Sequence, residues 1–395
     1  MAVVVEHRRR EAMRMSAQGD ALLAKALEHL QSGEAGVARE LLHQAAGVGN
    51  LRAAVQLGTW ELAGLGGTSD VPAAVRRLQA AAELGEASAC TWVAQLVAAG
   101  AGGLQRDFAA AVSWLVRGAE AGDPRAAVQL AMLAPAETER QGDRLALAQR
   151  AAAAGEPIAQ AFAARWPAPS PGAGIDWACL RERIQLPHQR PLPAAQLRSE
   201  QPRIAALPGL FTHDECIYVA LKGLPLLRPA RVAAPDGSST VDPVRSNDAA
   251  KFGLLEADVV VQSLDVRVAA ALGHPAENGE GFALLRYAPG QQYLPHCDWI
   301  DPRREATRAD LERWGQRVAT CVVYLNEGFE AGATEFPRLG LGFRGRIGDA
   351  LAWDNLRPDG AVDPLTLHAG RSPSGGVKFL LSKWMRDRSQ AGNDA

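Results

Sequence analysis

Tyr287-Ala-Pro-Gly-Gln-Gln-Tyr293-Leu-Pro-His296-Cys-Asp298 is the stretch on which the reading of the chain turns. It follows a strand-like run, Phe282-Ala-Leu-Leu-Arg-Tyr287, and sets a histidine and a carboxylate two residues apart. Residues i and i+2 of a strand leave on the same face. In extended backbone the His296 imidazole and the Asp298 carboxylate can therefore reach one metal ion, while Cys297 points away. Two ligands do not close a site, and His368, seventy residues on, offers a third. Two imidazoles and one carboxylate on one face of an ion, with open positions opposite, suit an Fe(II) that must take further ligands. His-X-Asp alone arises often by chance, so the surrounding sequence has to carry the rest.

Composition narrows the field. The chain has 395 residues, enough for two or three domains and a sizeable core. Its formal net charge is -2 and its longest basic block is Arg8-Arg9-Arg10, which argues against nucleic acid as the main partner. Five cysteines (Cys90, Cys179, Cys216, Cys297, Cys321) are scattered and odd in number, unlike a disulfide framework or a zinc site. Met1-Ala-Val-Val-Val is too short for the apolar core of a signal peptide, and the arginines follow it instead of preceding it. No apolar run reaches the length of a membrane span. A cytoplasmic protein with no membrane segment is the expectation. Only five residues are lysine, so a lysine at a particular place carries more weight than usual.

Residues 14–166 are rich in Ala, Leu, Gln, Glu and Arg, good helix formers broken by periodic punctuation. Gly49, Gly85, Gly122 and Gly155 close Ala-rich runs at spacings of 36, 37 and 33. Glycine at a helix end accepts the left-handed conformation that other residues resist. Asp70, Asp107 and Asp143 recur at 37 and 36, each before a helical run, and read as N-caps. Arg-Ala-Ala-Val-Gln-Leu occurs twice, at 52–57 and 125–130. A period near 36 built from two helices and two turns predicts an α-solenoid, less regular before residue 45 and shortened around Pro135. The array resembles Sel1-like repeats, a subclass of tetratricopeptide-type repeats. Its Gly66-Gly67 and Gly102-Gly103 loops match the long loop of that class. The resemblance implies a peptide- or protein-binding surface that could recruit a substrate; a stabilising appendage or a dimerisation element is the other reading.

Pro167-Ala-Pro-Ser-Pro-Gly-Ala-Gly174 cannot continue a helix, and 167–201 is expected to be a Pro/Gly-rich linker and connector. Over 202–388 the pattern changes. Ile204 to Phe211 reads as strand then turn, Thr212 as the cap of a helix to Lys222, and Asp258–Leu272 as a second helix. Short β-runs follow at 282–287, 318–325, 350–354 and 377–385, the pattern of a barrel or jelly roll.

This second half resembles the catalytic domain of prolyl 4-hydroxylases, within the 2-oxoglutarate/Fe(II) dioxygenases. Five collinear blocks carry the likeness: Leu285 to Asp298, Arg317 to Asn326, Gly332-Ala-Thr334-Glu-Phe336-Pro337, Gly348 to Asn355, and His368 to Trp384. The third block departs from the family's Gly-Gly-Glu-Thr-X-Phe-Pro, with Ala331 for the first Gly and Ala333 for the Glu. The implied fold is a helical repeat domain followed by a double-stranded β-helix with flanking helices. The implied cofactors are Fe(II), held by His296, Asp298 and His368, with 2-oxoglutarate and O2 as cosubstrates and ascorbate as reductant. Lys378, a compact point charge, is the anchor expected for the far carboxylate of 2-oxoglutarate. By the same comparison Tyr287 and Thr334 would hydrogen-bond that carboxylate, and Tyr293, Arg317 and Trp384 would line the substrate cleft. Core packing stays open for the tyrosines and Trp384, and a structural ion pair for Arg317. Strand alternation puts Lys378, Leu380, Ser382 and Trp384 on one face and Lys383 on the other, where a solvent lysine is expected. His188, His213 and His274 have no matching neighbours and are expected at the surface.

The resemblance implies decarboxylation of 2-oxoglutarate to succinate and CO2 coupled to hydroxylation of an unactivated C–H, foremost on a peptidyl proline. Another residue type or a small molecule is the alternative substrate. An interaction scaffold with an inactive oxygenase domain is a reading from another class, opposed by the intact ligand set and Lys378. A nucleic-acid dealkylating oxygenase would show a basic face and an arginine anchor; the near-neutral charge and Lys378 argue against it.

Overall fold

The computed structural model describes residues 2–135, 142–169, 174–233, 239–240 and 244–390, with the side chains of 2–14, 232–233 and 239–240 outside the description. The chain folds as two units, the first running to Gln185 and the second starting at Leu186.

Helix Ala2–Gln31 opens the first unit, so helical structure begins well before residue 14. Helix pairs follow: Ala35–Gly47 with Leu51–Ala63, Val71–Glu83 with Ala87–Ala99, Phe108–Glu120 with Pro124–Leu133, and Gly142–Ala153 with Pro157–Ala163. The stretch before residue 45 is thus a full member of the array. Each periodic glycine sits in left-handed backbone, at φ 88 for Gly49, 90 for Gly85, 102 for Gly122 and 85 for Gly155. Asp70 and Asp107 cap their helices, accepting from the amides of Ala73 and Ala110. Asp143 does not: it lies inside its helix and instead accepts from Asp176 N and Arg183. Caps at Asn50, Asp123 and Glu156, which the sequence reading passed over, serve the second helix of three pairs. The core is a ladder of buried leucines and alanines, Leu42, Leu57, Leu78, Leu115 and Leu147 among them. Small residues set the spacing, since a Cβ on Gly58 would lie 2.8 Å from Leu78 Cγ. The expected connector divides between the units. Its Ser170–Ala173 piece lies outside the described residues, Trp177–Arg183 is a helix of the first unit, and Gln196–Ser199 is an edge strand of the second.

The second unit is built on an eight-stranded antiparallel sheet. Its order is Gln196–Ser199, Ile204–Leu207, Ala350–Asp354, Arg317–Tyr324, Lys378–Arg386, Ala283–Tyr287, Asp248–Lys251 and Arg228–Pro229. A four-stranded sheet runs Leu341–Phe343, Thr334–Phe336, His368–Gly370 and Tyr293–His296. Two small pairs complete the strands, Phe329–Ala331 with Pro373–Gly376 and Val232–Ala233 with Ser239–Thr240. A cavity lined from both larger sheets makes this the jelly-roll architecture expected of a double-stranded β-helix.

Helices His213–Gly223 and Val259–Leu272 belong to this unit's outer layer. The first is capped reciprocally by Thr212 and Glu215. The same Glu215 takes two 2.8 Å hydrogen bonds from Arg267 and one from Arg190, tying both helices to the entry segment. On the second helix Ala269 packs with Ala319 and Met385 of the main sheet. That layer corrects the expectation for Lys383. It does lie opposite Lys378, but that face is covered: Lys383 is 2% exposed and its ammonium bonds to Asp265 of the helix and to Glu280 O.

Candidate active site

His296 ends one minor-sheet strand and His368 begins its neighbour, and the two are register partners. Asp298 follows two residues after His296. The three side chains bring ligand atoms to within 4.8 Å of one another. Asp298 stands between the imidazoles, with Oδ1 3.6 Å from His296 Nε2 and Oδ2 3.6 Å from His368 Nε2. Each Nδ1 hydrogen-bonds a backbone carbonyl, that of Leu294 at 2.8 Å for His296 and that of Thr366 at 2.9 Å for His368. A proton on each Nδ1 satisfies those bonds and turns both Nε2 lone pairs toward Asp298. Cys297 is not part of the cluster.

Electrostatics prepares the site for a cation. Burial, helped by the neighbouring His368, holds the His296 pKa down to about 3, so its ring stays neutral. Burial alone would raise the Asp298 pKa, but the two imidazoles and Arg317 outweigh it and keep the carboxylate ionised. Two imidazoles around a buried carboxylate are the donor set that open-sided Fe(II) requires, and the residues present fit that metal.

The cavity above them is lined by Tyr287, Tyr293, Val322, Thr334, Leu380 and Trp384, along with the three ligands. Tyr287 is fully buried, and its hydroxyl finds no hydrogen-bond partner among the described residues. Thr334 Oγ1 is 2.9 Å from Tyr324 Oη, so it is held in place by a tyrosine the sequence reading did not single out. Lys378 is also fully buried, with Nζ 4.1 Å from the Tyr287 ring centroid and 3.0 Å from the carbonyls of Gly332 and Arg371. No carboxylate partners it among the described residues, and burial pulls its pKa down to about 7. A buried cation without a counter-ion, behind a tyrosine with a free hydroxyl, fits a dicarboxylate cosubstrate.

On the other side of the ligands, Tyr293 stacks on the His296 ring at 3.4 Å between centroids. Arg245, another lining residue that no sequence signal marked, lies over the far face of Tyr293 at 4.9 Å. Arg317 is not in the lining. It forms a 2.6 Å ion pair with Glu280 and covers the Trp384 ring at 4.3 Å. The ion-pair reading therefore describes its main contact, and its influence on the cavity passes through Trp384. Glu280 is shared with Arg386, and the two guanidiniums overcome burial to hold its pKa near about 2. Trp384 Nε1 is buried without a partner among the described residues, on a ring that lines the cavity. His188 and His213 are exposed and His274 half-buried, none within the metal cluster.

The model of the 2OG-Fe(II) oxygenase superfamily matches residues 282–386. Prolyl 4-hydroxylase 1 of Arabidopsis thaliana is 33% identical over 206 residues, covering 48% of this chain and 71% of the plant protein. The chain belongs to the prolyl 4-hydroxylase family of 2OG-Fe(II) oxygenases. Among solved structures, a viral collagen prolyl hydroxylase from Paramecium Bursaria Chlorella virus-1, in its 2OG complex, is 24% identical over 46% of this chain and 95% of its own, with a TM-score of 0.36. A Sel1 repeat protein from Oxalobacter formigenes is 21% identical over 43% of this chain and 75% of its own, with a TM-score of 0.34. Within the prolyl 4-hydroxylase family this chain is an oxygenase domain preceded by helical repeats.

Proposed function

We propose that this prolyl 4-hydroxylase relative hydroxylates a peptidyl proline, with release of succinate and CO2 and with ascorbate as the reductant that maintains the iron. One observation carries the reading: the convergent His296, Asp298 and His368 share a cavity wall with a tyrosine backed by the buried Lys378, which has no carboxylate partner among the described residues. Fe(II), bound with 2-oxoglutarate and O2, supplies the oxidising chemistry. The chain's own residues hold and orient. His296, Asp298 and His368 would hold the metal through Nε2, a carboxylate oxygen and Nε2. Lys378 and the hydroxyls of Tyr287 and Thr334 pair with the far carboxylate of 2-oxoglutarate. Val322, Leu380 and Trp353 give the cavity apolar walls that exclude water. Tyr293 and Trp384 form the substrate side, with Arg317 covering the Trp384 ring from outside the lining, and the Trp384 N–H, which has no partner among the described residues, can donate to a peptide carbonyl.

The helical repeats recruit the protein or peptide that carries the proline, in the cytoplasm. No helix among the described residues is long and apolar enough to cross a membrane. The test measures succinate release by the full chain with Fe(II), 2-oxoglutarate and ascorbate, with and without proline-containing peptides. Peptide-stimulated turnover that His296→Ala abolishes is the expected result. Stimulation by free small molecules and by no peptide would overturn the peptidyl assignment.

A further inference from the structure

Beyond the ligands themselves, a buried relay acts on Asp298. Thr320 Oγ1 donates to Asp298 Oδ2 at 2.9 Å, and Asn355 Nδ2 donates to Thr320 Oγ1 at 3.0 Å. Thr320 and Asn355 are both fully buried. Thr320 stands mid-strand in the main sheet, with Trp353 and Trp384 as its register partners on either side. Its hydroxyl has one proton to give and two lone pairs that accept. The Asn355 amide donates into one of those lone pairs, and the hydroxyl proton goes to Asp298 Oδ2. Asn355 bears a cost for this role: its Oδ1 is buried without a partner among the described residues, and unsatisfied buried acceptors are rare and unfavourable.

We infer that Thr320 and Asn355 are positioning residues that keep Asp298 a one-oxygen ligand. This rests on the reading of His296, Asp298 and His368 as the iron site. An oxygen that accepts a hydroxyl proton is a weaker metal donor than its twin, so Oδ1 is left to ligate. The consequence is coordination number. Two imidazoles and one carboxylate oxygen would leave the ion open positions for a two-point cosubstrate and a further ligand. If Oδ2 also bound, one of those positions would close.

The test uses the metal-free full chain and Co(II) as the probe, with affinity read by calorimetry and coordination by visible absorption. Wild type should bind one Co(II) per chain. Thr320→Val should bind it about 10- to 100-fold more weakly, with an altered visible band as Asp298 turns to both oxygens. Thr320→Ser should return to within about threefold of wild type, because it restores the donor. Asn355→Leu, which releases the hydroxyl to rotate, should lose about three- to tenfold. It carries the test by itself if Thr320→Val does not fold. Wild-type affinity and spectrum in a folded Thr320→Val or in Asn355→Leu would overturn the relay. So would a Ser variant as weak as Val, which would make the effect one of packing. Failure of the wild type to bind Co(II) would instead overturn the metal site.

Discussion

Raising the pH from about 6 to 9 should weaken 2-oxoglutarate binding, with Lys378 as the cause. Its ammonium is fully buried against two carbonyls and a tyrosine face, with no carboxylate to balance it among the described residues. Burial lowers its pKa from 10.5 to about 7. That difference corresponds to a bias on the order of 5 kcal/mol toward the neutral amine. A bound carboxylate favours the ammonium and raises the pKa again. The ligand therefore takes up a proton wherever the free site is neutral, which is above about pH 7. From this pKa, uptake should be about 0.9 proton per ligand at pH 8 and about 0.1 at pH 6. The KM for 2-oxoglutarate should be flat below about pH 7, then rise by up to about tenfold per pH unit until the pKa of the complex is reached. Folding stability of the ligand-free chain follows the same group with its own sign. The unfolded lysine binds more protons between 7 and 10.5, so the penalty is complete below that window and is relieved as pH rises through it. Anaerobic calorimetry at two pH values, each in two buffers of different ionisation heat, counts the protons directly. Lys378→Arg, which never titrates, should show no linked uptake. Equal uptake at both pH values in the wild type, or a flat KM across the range, would refute the reasoning.

Other consequences follow from single residues. Ala331 holds φ 55, a left-handed backbone that costs a non-glycine residue about 1–2 kcal/mol. Ala331→Gly should therefore raise stability by up to about 1 kcal/mol, read as a higher denaturant midpoint at unchanged slope. Glu215 holds Arg190 and Arg267 in a buried triad, so Glu215→Ala should cost about 3–5 kcal/mol by leaving guanidinium charge uncompensated; a loss below about 1 kcal/mol would contradict that reading. Asp70→Ala and Asp107→Ala each remove a helix cap and should cost about 1 kcal/mol apiece in thermal unfolding of the repeats, with no change in the KM for 2-oxoglutarate.

What was legible in the sequence was whatever a short window carries. The glycine period is visible because each position needs φ above zero, and no other residue takes that conformation without cost. His296 and Asp298 are visible because strand alternation alone puts them on one face. The extent of the array's first helices was less legible, since helix Ala2–Gln31 has no glycine period to announce it. Asp143 mimicked its capping counterparts by spacing, but its side chain is claimed by Asp176 and Arg183, 33 and 40 residues away. Lys383 was placed on the correct side of its strand. The period of one strand cannot say what covers the far face, and Asp265 lies 118 residues earlier. Thr320 and Asn355 were hidden for a similar reason. A threonine in a buried strand looks like packing, and only the pairing of Arg317–Tyr324 with Ala350–Asp354 brings its hydroxyl within reach of the asparagine. Arg245 came without any local motif, because its role depends on stacking over Tyr293.

The measurement that bears most directly on the central claim is mass spectrometry of a proline-containing peptide after incubation with the full chain, Fe(II), 2-oxoglutarate and O2. The account predicts a gain of one oxygen atom on proline, identified as 4-hydroxyproline by amino-acid analysis, matched by an equal amount of succinate and absent with His296→Ala. Succinate formed without any oxygen on proline, across peptides of varied flanking sequence, would contradict it.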